Sequence, residues 1–158
     1  MKHRILIENQ QEERRPFRGY KTLLRRAVSA ALEAEGFIQK AEISVILVSR
    51  EEICRLNARF RNTPRETDVL SFPLSDVEDD LYGDTVLLGD IVVCPDVIFS
   101  QAASFGTTYA QEFCLMVIHS TLHLLGWDHM EEEEKQKMFS RQEAILASLG
   151  EGEVKTEE

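Results

Sequence analysis

The sequence predicts a single α+β domain, a small mixed β-sheet packed with about five helices, over residues 1–150, followed by an acidic, frayed tail at 151–158. Three observations carry that reading. The chain has 158 residues, 43% of them hydrophobic, with only 8 glycines and 4 prolines, which suits one core of ordinary size. Short stretches rich in β-branched residues alternate with longer ones whose apolar residues recur at helical spacing. The resulting order, β, α, β, α, β, β, α, α, α, contains no internal repeat and no linker-like segment.

Each element has a local reason. RILIEN at 4–9 is the first strand, and YKTLLRRAVSAALEAEG at 20–36 is a helix burying Leu23, Leu24, Ala27, Val28, Ala31 and Leu32 and stopping at Gly36. EISVILVS at 42–49 is the second strand. Ser49 and Glu52 have capping-box spacing for a helix over 50–60: the serine accepts a backbone N–H and the glutamate reaches back. DVLSFP at 68–73 reads as a strand stopped by Pro73, LSDVEDDLYGD at 74–84 as an exposed acidic loop, and TVLLGDIVV at 85–93 as a strand whose glycine marks a bulge. Pro95 opens a helix over 95–105, and residues 107–126 form a largely buried helix ended by Gly126. Residues 130–150 form a last helix with acids in its first turn and Glu131/Lys135 and Glu133/Lys137 pairs.

Composition narrows the function classes. The N-terminal apolar run is too short for a signal peptide and no stretch approaches about 18 apolar residues, so a soluble, cytoplasmic protein with no membrane partner is expected. Cys54, Cys94 and Cys114 are odd in number and form no C-x-x-C, which fits buried reduced thiols better than a disulfide framework or a cysteine zinc site. The net charge of −10 is unevenly spread: residues 1–65 carry a net +6 and residues 66–158 a net −16. A basic surface is therefore compatible with an acidic protein.

HSTLHLLGWDH at 119–129 holds three of the four histidines. His119 and His123 lie about 40° apart around a helix and one turn apart along it, so both imidazoles reach one ion. Gly126 lets the chain turn back and bring in His129. The spacing H-x-x-x-H-x-x-G-x-x-H matches the extended zinc-protease pattern, except that Ser120 stands where the catalytic glutamate follows the first histidine. Three nitrogen ligands leave the fourth tetrahedral position open, as in catalytic zinc sites, so one Zn²⁺ per chain is expected. Asp128 is a candidate to accept a ligand's ring N–H. His3 reads as an ordinary strand or surface residue. Serine cannot shuttle a proton near neutral pH, which weakens a peptidase reading. A metal-dependent nuclease, a zinc peptidase and a noncatalytic zinc-stabilised assembly factor all remain open at this point.

LNARFRNTPRETDVLSFP at 56–73, LGDIVV at 88–93 and HSTLHLLGWDH, in that order, resemble the bacterial YbeY endoribonucleases along nearly the whole chain. The chain departs from the family in having Ser-Thr-Leu where members often carry Gly-x-Leu after the first histidine. The resemblance implies a zinc held by His119, His123 and His129, with Arg61 beside it as the arginine important for activity. It also implies single-strand-specific cleavage in maturation of the 3′ end of small-subunit ribosomal RNA and in ribosome quality control. The implied partners are ribosomal RNA, the small ribosomal subunit and an assembly GTPase; no DNA partner is expected. The chemistry is compatible, because a guanidinium presents planar, permanently charged donors to the oxygens of a phosphodiester as charge gathers there. Arg59 and Arg65, close to Arg61 in sequence, are candidate RNA-binding residues. Phosphodiester cleavage can use water or the RNA 2′-hydroxyl as nucleophile, so a glutamate at position 120 is not obligatory.

Overall fold

Alternation of buried and exposed side chains along two long strands decides where the sheet sits. The computed structural model of the chain describes residues 3–11, 16–74, 81–82, 85–127 and 131–150. Its elements are β1 (Arg4–Asn9), α1 (Tyr20–Ala34), β2 (Lys40–Leu47), α2 (Arg50–Arg61), β3 (Val69–Pro73), β4 (Leu81–Tyr82), β5 (Thr85–Val93), α3 (Pro95–Phe105), α4 (Tyr109–Leu124) and α5 (Glu132–Ser148). The expected mixed sheet and five helices are present. The acidic tail at 151–158, together with Asp128 and His129, lies outside the described residues. No described helix is long and apolar enough to cross a membrane.

The sheet runs β1-β2-β5-β3, with β1, β2 and β5 parallel and β3 antiparallel to β5. One correction falls in the segment expected to be wholly loop, where Leu81–Tyr82 form a short strand against Val86 and Thr85. Two residues of pairing leave too little periodicity to stand out in an acidic stretch.

Ala41, Ile43, Val45 and Leu47 of β2 all face one core, shared with α1, α4 and α5. On β5 the same core receives Val86 and Leu88 and then Ile91 and Val93, so the buried parity switches from even to odd. The expected bulge causes the switch: Glu42 pairs with Leu87 and Ile43 with Gly89, leaving Leu88 as the extra residue. The opposite sheet face packs Ile53 of α2 with Leu70, Val92 and Val97, and Leu56 and Phe72 lie against them. α4 is the central helix of the first layer, touching α1, α3, α5, β3 and β5. Phe113, Ile118 and Leu122 of α4 are fully buried, each contributing about 1.5–3 kcal/mol by removal from water.

Helix α1 buries all six residues that its spacing predicts. The cap of α2 is only half as expected. Ser49 Oγ accepts from the Glu52 N–H at 3.1 Å, but the Glu52 carboxylate turns forward to Arg55, with contacts of 2.9 and 2.6 Å. A two-pronged charged pair outcompetes one bond to a backbone amide. The full capping box belongs to α4, between Thr108 and Gln111. At its other end α2 stops at Asn62, in the left-handed region, and Asn57 Nδ2 donates to the Arg65 carbonyl at 3.0 Å. That bond folds the following turn back on the helix and delivers the chain to β3.

Gly89 has φ +137°, and a Cβ there would lie 2.3 Å from the Phe72 carbonyl oxygen and 3.0 Å from Pro73 Cα. Both obstacles are backbone, so β3 would have to move. Gly89→Ala is therefore expected to cost more than about 2 kcal/mol in urea denaturation, from clash and backbone strain together. A loss below about 0.5 kcal/mol, the size of an ordinary surface change, would contradict this close approach of β3 to β5.

Candidate metal centre

His119 and His123 leave α4 one turn apart with ring centroids 4.6 Å apart and nearly perpendicular planes, and their Nε2 atoms are 3.1 Å from each other. The other nitrogens are held from outside the pair. His119 Nδ1 lies 2.9 Å from Oε1 of Gln142 on α5, and His123 Nδ1 lies 2.9 Å from the Trp127 carbonyl. Both partners are carbonyl oxygens, which only accept, and they favour the tautomer with hydrogen on Nδ1 and a lone pair at Nε2.

Two lone pairs at this distance repel each other unless a cation lies against both. Two Nε2 ligands at about 2.0–2.1 Å from a tetrahedral zinc stand roughly 3.3 Å apart, close to the 3.1 Å observed here. The donor set thus fits zinc, and the Nδ1 partners are the kind that orient metal-binding imidazoles. Among the described residues no group of three His, Cys, Asp or Glu side chains could hold a metal ion. The third expected ligand, His129, and the candidate supporting carboxylate, Asp128, lie outside them.

The loop after α4 is fastened to two other helices. Gly126, at φ +103°, turns the chain where L side chains are strained, as expected for the end of this helix. Trp127 then donates from its indole N–H to Glu35 at 2.6 Å, while Arg141 of α5 donates to the same carboxylate at 2.5 Å and to the Ala34 carbonyl at 2.9 Å. Glu35, at the end of α1, therefore holds the residue whose carbonyl orients His123.

Arg61 arrives from the other sheet face. It is the last residue of α2; its Nη2 donates to the Ser71 carbonyl at 2.5 Å and its guanidinium lies 5.6 Å from the Phe72 ring centre. A pocket of about 650 Å³ along β3 is lined by Arg61, Asp68 and Ser71 together with His119, His123 and Trp127. Asp68 is steadied there by the Val69 N–H at 2.8 Å and the Thr67 hydroxyl at 3.3 Å. Arg59 and Arg65 are exposed and do not line this pocket, and Arg55 is paired with Glu52. Ser120 is fully buried, with no hydrogen-bond partner for its hydroxyl among the described residues, so its side chain faces the core and not the pocket. Cys94 and Cys114 are buried and Cys54 partly so, and none of the three is in a disulfide. His3 accepts the Ala41 N–H at 3.0 Å, a structural role.

Gln142, Trp127, Glu35 and Asp68 are functional neighbours that the sequence reading missed. Gln142 did leave a trace: Met138, Gln142, Ile145 and Leu149 form a buried stripe at helical spacing with one polar member. The Trp127 contribution is a backbone carbonyl, which no residue pattern reveals.

Fold and pocket together describe a histidine and arginine site on an α+β domain, and known proteins show which such domain. The family model described as Endoribonuclease YbeY matches residues 6–150. A Clostridium botulinum protein named Endoribonuclease YbeY is 38% identical, with 92% of this chain and 97% of the relative aligned. A Staphylococcus saprophyticus protein of the same name is also 38% identical, over 82% of this chain and 86% of its own. The solution structure of TM1509 from Thermotoga maritima superposes with a TM-score of 0.59 at 34% identity, covering 95% of this chain and 88% of that one. The chain belongs to the YbeY endoribonuclease family.

One ionisable group near this site sits in an unfavourable place. Glu112 of α4 is 5% exposed, and burial, then the nearby charges of Asp68 and Glu143, push its carboxyl above the ordinary glutamate range. With the folded-state pKa above the unfolded one, the carboxyl is neutral in both states at low pH and imposes no penalty. Stability falls as pH rises through the folded value. Glu112→Gln is therefore expected to melt higher than wild type at about pH 8, with the gap narrowing towards about pH 4, where glutamate is normally half protonated. Melting curves across that range check it, and an identical pH dependence in the two proteins would contradict it.

Proposed function

We propose that the chain is a zinc-dependent endoribonuclease specific for single strands, in which His119, His123 and His129 hold the metal and Arg61 stabilises the phosphoryl oxygens. The observation that carries this reading is the pocket wall shared by Arg61 and the two converging imidazoles. A zinc bound there supplies Lewis-acid charge to the scissile phosphodiester. The chain's own residues do the rest. Gln142 and the Trp127 carbonyl hold the imidazoles with Nε2 towards the pocket, which avoids reorganisation during reaction. Arg61 spends one donor on Ser71, which leaves N–H groups of its planar fork for the nonbridging oxygens. The anchor on Ser71 and Phe72 restricts the side chain, so its charge is in place before the transition state forms.

With Ser120 turned into the core, the chain has no carboxylate at the position where zinc peptidases carry one. RNA is therefore the favoured substrate, in keeping with the endoribonuclease names of the relatives. By family resemblance the substrate is the 3′ end of small-subunit ribosomal RNA, with the small subunit and an assembly GTPase as partners in the cytoplasm.

The purified, zinc-loaded protein is expected to cleave single-stranded ribosomal RNA and leave casein intact; chelator-sensitive casein cleavage without RNA cleavage would overturn the reading. His123→Ala should lose the metal by elemental analysis, since a remnant of the site forfeits its geometry. Arg61→Ala should slow single-turnover cleavage by about 10²–10³-fold, with RNA affinity changed far less and zinc content unchanged. Arg61→Lys should recover only part of that loss, because lysine keeps the charge without the fork.

A further inference from the structure

Next to this pocket lies a surface that the catalytic reading does not use. Phe60, in the last turn of α2, is 55% exposed, a costly place for a large aromatic ring on a helix that has its own apolar face elsewhere. The Arg59 guanidinium lies over the Phe60 ring, 5.2 Å from its centre. Phe60 also meets Phe72 at 5.4 Å in an edge-on arrangement, and Phe72 in turn carries Arg61. Arginine, aromatic, aromatic, arginine thus follow one another across the surface, and the last member is a wall of the pocket.

We propose that Phe60 is a stacking platform for an unpaired base of the RNA strand, with the Arg59 guanidinium closing over that base while the neighbouring phosphodiester lies against Arg61. The proposal rests on the ribonuclease reading and adds a subsite to it. The chemistry selects a nucleotide over a protein side chain. An apolar protein partner would satisfy Phe60 but strip water from Arg59 without replacing it, whereas a nucleotide brings a π face for the ring and a phosphate for the cations. Arg65, exposed on the turn that follows α2, adds a further positive charge to this basic stretch of the chain. The platform also gives single-strand preference a physical source: a base inside a duplex has both faces covered and cannot lie on Phe60.

The test measures affinity by fluorescence anisotropy for the full-length wild type, Phe60→Leu and Phe60→Tyr. The ligand is a short 2′-O-methyl oligoribonucleotide, which keeps its base faces, with a series in which each base in turn is replaced by an abasic sugar. In the wild type one abasic position is expected to weaken binding roughly tenfold or more, the range for loss of one base stacked on an aromatic ring. In Phe60→Leu the intact strand should be weakened by a similar factor and the same abasic position should cost nothing further, the non-additivity of two partners in one contact. Phe60→Tyr should behave as wild type, and melting temperature and zinc content should be unchanged in all three. An abasic penalty that survives in Phe60→Leu overturns the platform, as does equal weakening towards duplex RNA. Wild-type cleavage of unmodified RNA is read in parallel: if it is present while Phe60→Leu keeps the penalty, only the platform fails, and if wild type neither binds nor cleaves single-stranded RNA, the ribonuclease reading fails and the platform with it.

Discussion

The open outer edge of β3 is the constraint on which this site depends. As the last strand of the sheet among the described residues, β3 has backbone carbonyls that no described strand claims, and the one at Ser71 receives Arg61. The helices that supply the site lie on opposite faces of the sheet: α2 packs with Ile53 and Leu56 on one, α4 with Ile118 and Leu122 on the other. Only at an uncovered edge do side chains from both layers meet across one pocket. The Gly89 bulge supports this by letting β5 approach the Phe72 carbonyl closely and by resetting which β5 side chains enter the main core.

The histidine pair shows how a site on one helix depends on three. α4 alone sets the one-turn spacing, which any i, i+4 pair shares. What sets the ring orientation is Gln142 from α5 and the Trp127 carbonyl; Trp127 is in turn held by Glu35 at the end of α1, whose carboxylate also receives Arg141 from α5. A change at Glu35, far from any reacting atom, therefore reaches the His123 imidazole through two hydrogen bonds, and a change at Arg141 through three. On the proposed platform specificity would follow a related logic, the aromatic rings beside Arg61 offering an unpaired base what a duplex cannot use.

Features whose cause is local in sequence were legible in it. The apolar stripe of α1, the stop at Gly36, Pro95 at the start of α3 and the histidine spacing on α4 all have causes within a few residues, and the structure has them. The bulge at Gly89 was legible too, although its consequence for the buried parity of β5 needed the partner strand. The capping box of α2 failed on its glutamate because Arg55 competes for it, a choice that spacing does not decide. Asp68, Glu35 and the Trp127 carbonyl became visible only once chain segments far apart in sequence were brought together. Arg61 stood out by family resemblance, not by its own spacing, because arginines recur all along α2 and the turn after it.

The central claim is that His119 and His123 offer Nε2 to one shared metal while Nδ1 keeps its hydrogen. Long-range ¹H–¹⁵N spectra of the histidine rings, recorded during titration with Zn²⁺, read this directly. On saturation at about one zinc per chain, the Nε2 resonances of both residues should move to the metal-bound position, with the hydrogen retained on both Nδ1 atoms. Zinc bound through Nδ1 of either ring, or saturation that leaves both imidazoles unchanged, would contradict the account.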